Sequence, residues 1–181
     1  RWEPENSRNV AWIYLPASKG QIKRAMQRSG IADPKDMRLF MADSSFPEEV
    51  DIALDFRCDN IYELNELAHT LLGVRDKGEL EKYEAALVLG KHTESVKDLI
   101  NLAQNLDLYR FCPDISNEEE LGRLYADELH SIEIPEHIQN YFDYEAYGRD
   151  VKIRENGVFA PGGYVAADPG AFIEYYHGPE D

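Results

Sequence analysis

Apolar positions along the chain recur in two rhythms, and the switches between them mark out its elements. Val10-Ala-Trp-Ile-Tyr-Leu-Pro16 is β-branched and aromatic, which predicts a strand stopped by Pro16. Ser18 with Gln21 three residues on is a capping-box signature and opens a helix to about Ser29. Ile22, Ala25 and Met26 face inward on that helix, and Gly30 caps its end. Met37 to Ala42 predicts a second strand, ahead of a turn-prone Asp43-Ser-Ser-Phe-Pro47. Val50 to Phe56 alternates acidic and apolar residues, as a half-exposed strand or extended loop does. The first third therefore predicts a small α+β unit.

From Asn60 the rhythm turns helical. Asn60-Ile-Tyr-Glu63 is a second capping box, with Ile61, Leu64, Leu67, Ala68 and Leu71 on one stripe and Gly73 ending it. Asp76-Lys-Gly-Glu79 starts another helix carrying Leu80, Tyr83, Ala86 and Leu87 inward, closed by Gly90. Thr93 caps a further one, with Val96, Leu99, Ile100 and Ala103 facing a core. Short links between these helices predict a compact helical unit.

Leu106 to Phe111 reads as a strand opening the last part, and Ser116-Asn-Glu-Glu119 repeats the capping logic. Leu121, Leu124, Tyr125 and Leu129 form the buried stripe of that helix. The following stretch, Ile134-Pro-Glu-His-Ile-Gln-Asn-Tyr-Phe-Asp-Tyr-Glu-Ala-Tyr-Gly-Arg-Asp150, concentrates aromatic rings and carboxylates. Pro135 suits a first helical turn, Ile138, Tyr141 and Phe142 are placed to face inward, and Gly148 is placed to stop the helix. Val151 to Ile153, Val158 to Ala160, Tyr164 to Ala166 and Phe172 to Tyr176 are short strand candidates between Gly and Pro turns. The pattern thus runs α+β over 1–57, helical over 58–106 and α+β over 107–181.

Charge changes this picture more than composition does. The formal net charge is −16, yet residues 1–40 hold eight Lys/Arg against four carboxylates, a balance of +4. Residues 41–181 then carry −20, and 114–150 alone hold eleven carboxylates against Arg123 and Arg149. Such a field repels nucleic acid and anionic membranes and favours basic partners, so direct DNA or RNA binding is not expected. Lys19, Lys23, Arg24 and Arg28 form the one basic patch, on the first helix. Cys58 and Cys112 give no disulfide framework, and no apolar run approaches a membrane span, so a soluble intracellular protein is expected. Arg1 in place of Met suggests a trimmed N-terminus or a piece of something longer.

Catalytic constellations are missing from the pattern. Leu89-Gly-Lys-His-Thr93 ends like a phosphate loop, but position 85 is Ala where that loop needs glycine. His130 and His137 stand seven apart, a spacing that matches no standard metal-ligand motif. Neither cysteine has a motif around it, and paired carboxylates occur throughout, so no pair singles out a dyad. Neither a cofactor nor an enzyme activity is expected.

The Ile134–Asp150 stretch, with its D-Y-x-x-Y-G-R-D core, and Gly157-Val-Phe-Ala-Pro-Gly-Gly-Tyr-Val165 resemble the ArdA antirestriction proteins. Gly78 to Leu87, Ser95 to Asn101 and Asn117 to Tyr125 extend the resemblance, which covers about Ala11 to His177. Family members usually begin with an extra short strand and loop, and a polar ten-residue lead stands there in this chain.

The resemblance implies an elongated, curved chain of three small domains with an acidic surface, dimerising through its C-terminal part. It implies a protein of the bacterial cytoplasm, carried by mobile elements, that mimics bent duplex DNA and occupies the DNA groove of type I restriction–modification enzymes. On that reading the phosphate-mimicking carboxylates are Glu63, Glu66, Glu79, Glu81, Glu84, Glu94, Asp98, Asp114, Glu118, Glu119, Glu120, Asp127, Glu128, Glu133, Glu136, Asp143 and Glu145. Tyr141, Phe142, Tyr144, Tyr147, Gly148, Arg149 and Asp150 form the structural motif, with Arg149 expected to pair with Asp143 or Asp150. The alternative is an acidic adaptor that binds a basic host protein without mimicking DNA. A hydrolase built on His130 or His137 is a weaker third.

Overall fold

The computed structural model describes residues 10–33, 36–41, 43–46, 48, 50–51 and 60–179. It is a mixed α+β protein, and the chain divides into two compact units, each discontinuous in sequence. One comprises residues 1–77, 92–104 and 174–181, and the other 78–91 and 105–173.

In the first unit, helix α1 (Lys19–Arg28) starts as its capping box predicts. Ser18 Oγ accepts the Gln21 N–H at 3.3 Å, while the Gln21 side chain accepts the Ser18 N–H at 2.8 Å. Gly30, at φ 68°, lets the chain turn back so that Ile31 N–H reaches the Met26 carbonyl. Ile22 and Met26 are buried with Ala17 and Ile61, and Ile13, Leu15, Met37 and Leu39 pack around them.

Residues 10–16 and 37–41 do not form the expected strands. Inside–outside alternation survives in the first of them: Ile13 and Leu15 turn to the core, while Trp12 and Tyr14 lie exposed. A strand needs a ladder partner as well as a pattern, and the sequence pattern supplies only the second. Val50 and Asp51 are helical, not extended; Ala42, Pro47 and 52–56 fall outside the described residues.

Helix α2 (Ile61–Asp76) is capped by Asn60 Oδ1, which accepts from Tyr62 N–H and Glu63 N–H. It runs through Gly73, so neither the expected stop at Gly73 nor a new cap at Asp76 holds. Gly73 keeps helical backbone because nothing there demands positive φ. Helix α4 (Val96–Gln104) packs on α2, and its cap is Ser95, whose Oγ accepts from Asp98 N–H at 3.1 Å, in place of Thr93. Buried Asn101 holds Tyr176 through both amide atoms, each at 2.9 Å.

The second unit is organised on a three-stranded antiparallel sheet ordered β1 (Tyr109–Pro113), β3 (Gly163–Ala167), β2 (Val158–Ala160). Phe111 faces Val165 across one ladder and Phe159 faces Tyr164 across the other. Helix α3 (Leu80–Leu89) packs on this sheet and ends at Gly90 in the left-handed conformation, as expected. Leu106–Leu108 is a 3-10 turn, so the expected strand starts only at Tyr109.

Helix α5 (Glu118–Arg123) continues into a π-helical turn, Leu124–Glu128. The expected Pro135–Gly148 helix is two elements, a 3-10 helix Glu136–Tyr141 and helix α6 (Tyr144–Glu155). Asp143 breaks them apart by capping α6, its Oδ1 accepting Ala146 N–H at 2.9 Å. Ile138 and Tyr141 are exposed, so their spacing marks no core stripe, and Leu129 is exposed as well. Val151 to Ile153 is helical because it lies within α6, and residues 172–176 form no strand. Leu121, Tyr125, Val151, Tyr164 and Ala166 make the core of this unit. No helix among the described residues is long and apolar enough to cross a membrane.

Candidate partner-binding surface

Helices α5 and α6 cross at a point where both are glycine. A β-carbon at Gly122 would overlap the Tyr144 carbonyl, and one at Gly148 would overlap the Glu118 carbonyl and lie 2.7 Å from the Gly122 nitrogen. Only glycine permits such an approach, because the neighbours are backbone and cannot rotate away. Gly148 is therefore a helix-packing residue in mid-helix, which corrects its expected role as a helix stop.

Around this crossing the motif residues work inside the unit. Tyr144 is buried; its hydroxyl donates to Asp127 at 3.0 Å and its ring lies under the Arg123 guanidinium, 4.2 Å from the ring centroid. Burial, and then the bond to Asp127, raises the Tyr144 pKa. Phe142 meets Tyr144 and Tyr147 edge-on, and the Tyr147 hydroxyl bonds Ser131 Oγ at 2.8 Å. Tyr141, by contrast, is 87% exposed. Arg149 and Asp150 are also exposed, and among the described residues Arg149 forms no ion pair with Asp143 or Asp150. Its charge acts on Glu118.

None of the expected phosphate-mimicking carboxylates is buried. In the second unit they divide into two groups. Glu118 accepts from Lys152 at 3.0 Å, Glu119 accepts from Arg123 at 2.9 Å, and Glu120 accepts the Ser116 N–H at 2.7 Å. Asp127 and Asp143 are held by Tyr144 and by the α6 cap. The Lys152 hydrogen bond lowers the Glu118 pKa, and the Ser116 N–H lowers that of Glu120, so both stay ionised. The cap of α5 is Asn117, one residue later than expected, with its Oδ1 accepting Glu120 N–H.

Glu79, Glu81, Asp114, Glu128, Glu133, Glu136 and Glu145 make no side-chain hydrogen bond or ion pair among the described residues. Glu84 is half-buried on α3. In the first unit, Glu66 and Glu94 are exposed and Glu63 and Asp98 half-buried, the latter pair within the field of Lys97. Burial raises the Glu63 pKa, with Lys97 opposing.

One central carboxylate is absent from the sequence expectation. Glu155 accepts from the Tyr125 hydroxyl at 2.8 Å and from the Tyr164 hydroxyl at 3.2 Å, and pairs with Arg110 at 3.0 Å. Burial, with help from Glu155, raises the pKa of both tyrosines well above the usual phenol range. Reading Val151 to Ile153 as a strand hid the helical face that carries this residue.

His130 and His137 are exposed, and no group of three or more His, Cys, Asp or Glu among the described residues could hold a metal ion. Fold and composition thus define a small α+β protein of net charge −16. The model of the ArdA antirestriction protein family matches residues 7–166, and the chain belongs to that family. Comparison with the curated proteins finds no match.

Proposed function

We propose that this antirestriction protein mimics bent duplex DNA and competes with it for the groove of type I restriction–modification enzymes, at their methyltransferase and specificity subunits. The observation that carries the reading is the placement of the acids: of seventeen expected mimic positions eleven are exposed, six half-buried and none buried, on a chain of net charge −16. Duplex DNA carries one charge per ~1.7 Å of axis, so one chain's net charge equals that of ~27 Å of duplex. A homodimer formed through the C-terminal part doubles that length. The reading includes the three-part, elongated arrangement over 1–57, 58–106 and 107–181 and action in the bacterial cytoplasm.

The test is restriction and methylation of plasmid DNA by a type I enzyme, with and without the protein, across a salt series. Competition through ionic contacts gives strong inhibition at low salt that fades as salt rises. No inhibition at low salt and excess protein defeats the reading. Small-angle scattering separates it from the adaptor alternative, because a compact chain of this length has a radius of gyration of ~16 Å and a compact dimer ~21 Å, and an elongated mimic exceeds the value for its own mass.

A further inference from the structure

Asp143, Tyr144 and Gly148 of the Asp143–Asp150 motif are engaged within the unit that contains it. Asp143 caps α6, Tyr144 lies beneath Arg123 and holds Asp127, and Gly148 rests against the backbone of α5. Helix axes with ordinary side chains between them stay ~8–10 Å apart. Here two glycines meet, and each lies against a main-chain oxygen of the other helix.

Carboxylates ride on both partners: Glu118 and Glu119 on α5, Glu145 and Asp150 on α6. Their relative positions therefore follow from how closely the two helices approach. We propose that Gly122 and Gly148, together with the Arg123–Tyr144–Asp127 clamp, are positioning residues that set the spacing between the carboxylates of α5 and those of α6 and thereby the potency of inhibition. The proposal rests on the DNA-mimic reading above.

The physical argument turns on charge conservation. Gly→Ala at either position leaves the net charge untouched, yet the added methyl forces the helices apart by more than ~1 Å to restore normal contact distances. Arg123→Lys also keeps the charge. It removes the guanidinium that lies over the Tyr144 ring and the two nitrogens that donate to Glu119 Oε1 at 2.9 and 3.2 Å. A loss of potency in these variants reports geometry, because the number of charges is unchanged.

The experiment measures inhibition of a type I restriction enzyme by the full chain across a salt series, with thermal melts of every variant. Gly73→Ala serves as control, since nothing lies within 4 Å of the β-carbon it adds. The control matches wild type. Gly148→Ala and Gly122→Ala lose about two ionic contacts, which flattens the slope of log potency against log salt by about 2 and costs about tenfold at low salt. Arg123→Lys loses about threefold, equivalent to one contact. Should a glycine variant fail to fold, Arg123→Lys decides on the same two criteria.

Wild-type potency and slope in the folded variants overturn the proposal. So does a loss that tracks the unfolded fraction equally at every salt, because that is destabilisation alone. If wild type itself does not inhibit, the mimic reading fails and this proposal goes with it. If wild type inhibits and the variants are unaltered, only this proposal fails.

Discussion

Replacing Glu155 by alanine is the sharpest test of how the second unit is held together. The substitution removes the acceptor of two tyrosine hydroxyls and the nearer partner of Arg110, leaving that guanidinium with Asp168 at 3.5 Å. Hydrogen bonds to a charged group are worth about 1.5–3 kcal/mol each. The Arg110 pair is discounted to about 1 kcal/mol, because that side chain is 37% exposed. These terms share one acceptor and do not simply add, so the expected loss is about 3–4 kcal/mol. At about 4–8 °C per kcal/mol for a unit of this size, the melting temperature of the second unit falls by roughly 12–32 °C.

The two units can be followed separately. Both tryptophans, Trp2 and Trp12, precede residue 20, whereas Tyr125 and Tyr164 report on the Glu155 site. Urea titrations followed by near-ultraviolet circular dichroism of tyrosine, whose side chains lie mostly in the second unit, and by tryptophan fluorescence, confined to the first, give the two midpoints. A loss below about 1 kcal/mol in the tyrosine signal would refute the reasoning, since hydrogen bonds to a charged acceptor exceed that. A double-mutant cycle with Tyr125→Phe should return a coupling of about 1–2 kcal/mol.

Three further outcomes are expected. Asn117→Ala removes the cap that accepts Glu120 N–H and should cost about 1 kcal/mol in urea unfolding. Tyr176 carries a buried hydroxyl with no partner among the described residues, and burial, then Glu63 and Glu66, push its pKa up to about 12. Because that folded value is raised, its contribution to stability is intact below the unfolded phenol pKa of about 10 and is lost as pH climbs from there. Tyr176→Phe should therefore leave neutral-pH stability unchanged or slightly higher and flatten the alkaline decline between pH 10 and about 12. Glu133→Gln and Glu136→Gln should each lower the salt slope of restriction inhibition by about 1, and an unchanged slope would remove them from the contact.

Local chemistry was readable in the sequence; long-range pairing was not. The Ser18 box, the Asn60 cap and the Gly90 stop are short-range signals and appear where the residues place them. Other local signals landed a residue or more away: the Gly73 stop and Asp76 cap did not form, and the caps expected at Thr93 and Ser116 fall on Ser95 and Asn117. The remaining failures needed information from elsewhere in the chain. Whether Val10–Pro16 becomes a strand depends on a ladder partner, and whether Gly148 ends a helix depends on Gly122 lying opposite. Glu155 reads as one acid among many until Tyr125, Tyr164 and Arg110 converge on it. The acidic positions were evident from composition. Their division into carboxylates with internal partners and carboxylates without them was not, because the partners lie a helical turn or a whole element away.

That internal bracing limits how such a chain can evolve. Arg123 and Lys152 each hold a glutamate of α5 in place, so exchanging either for a neutral residue would make the molecule more acidic while setting that glutamate adrift. A gain in negative charge at either position is thus offset by the loss of a fastener. Among the cations of this unit, Arg110, Arg123 and Lys152 serve as such fasteners, each closing an ion pair with a glutamate.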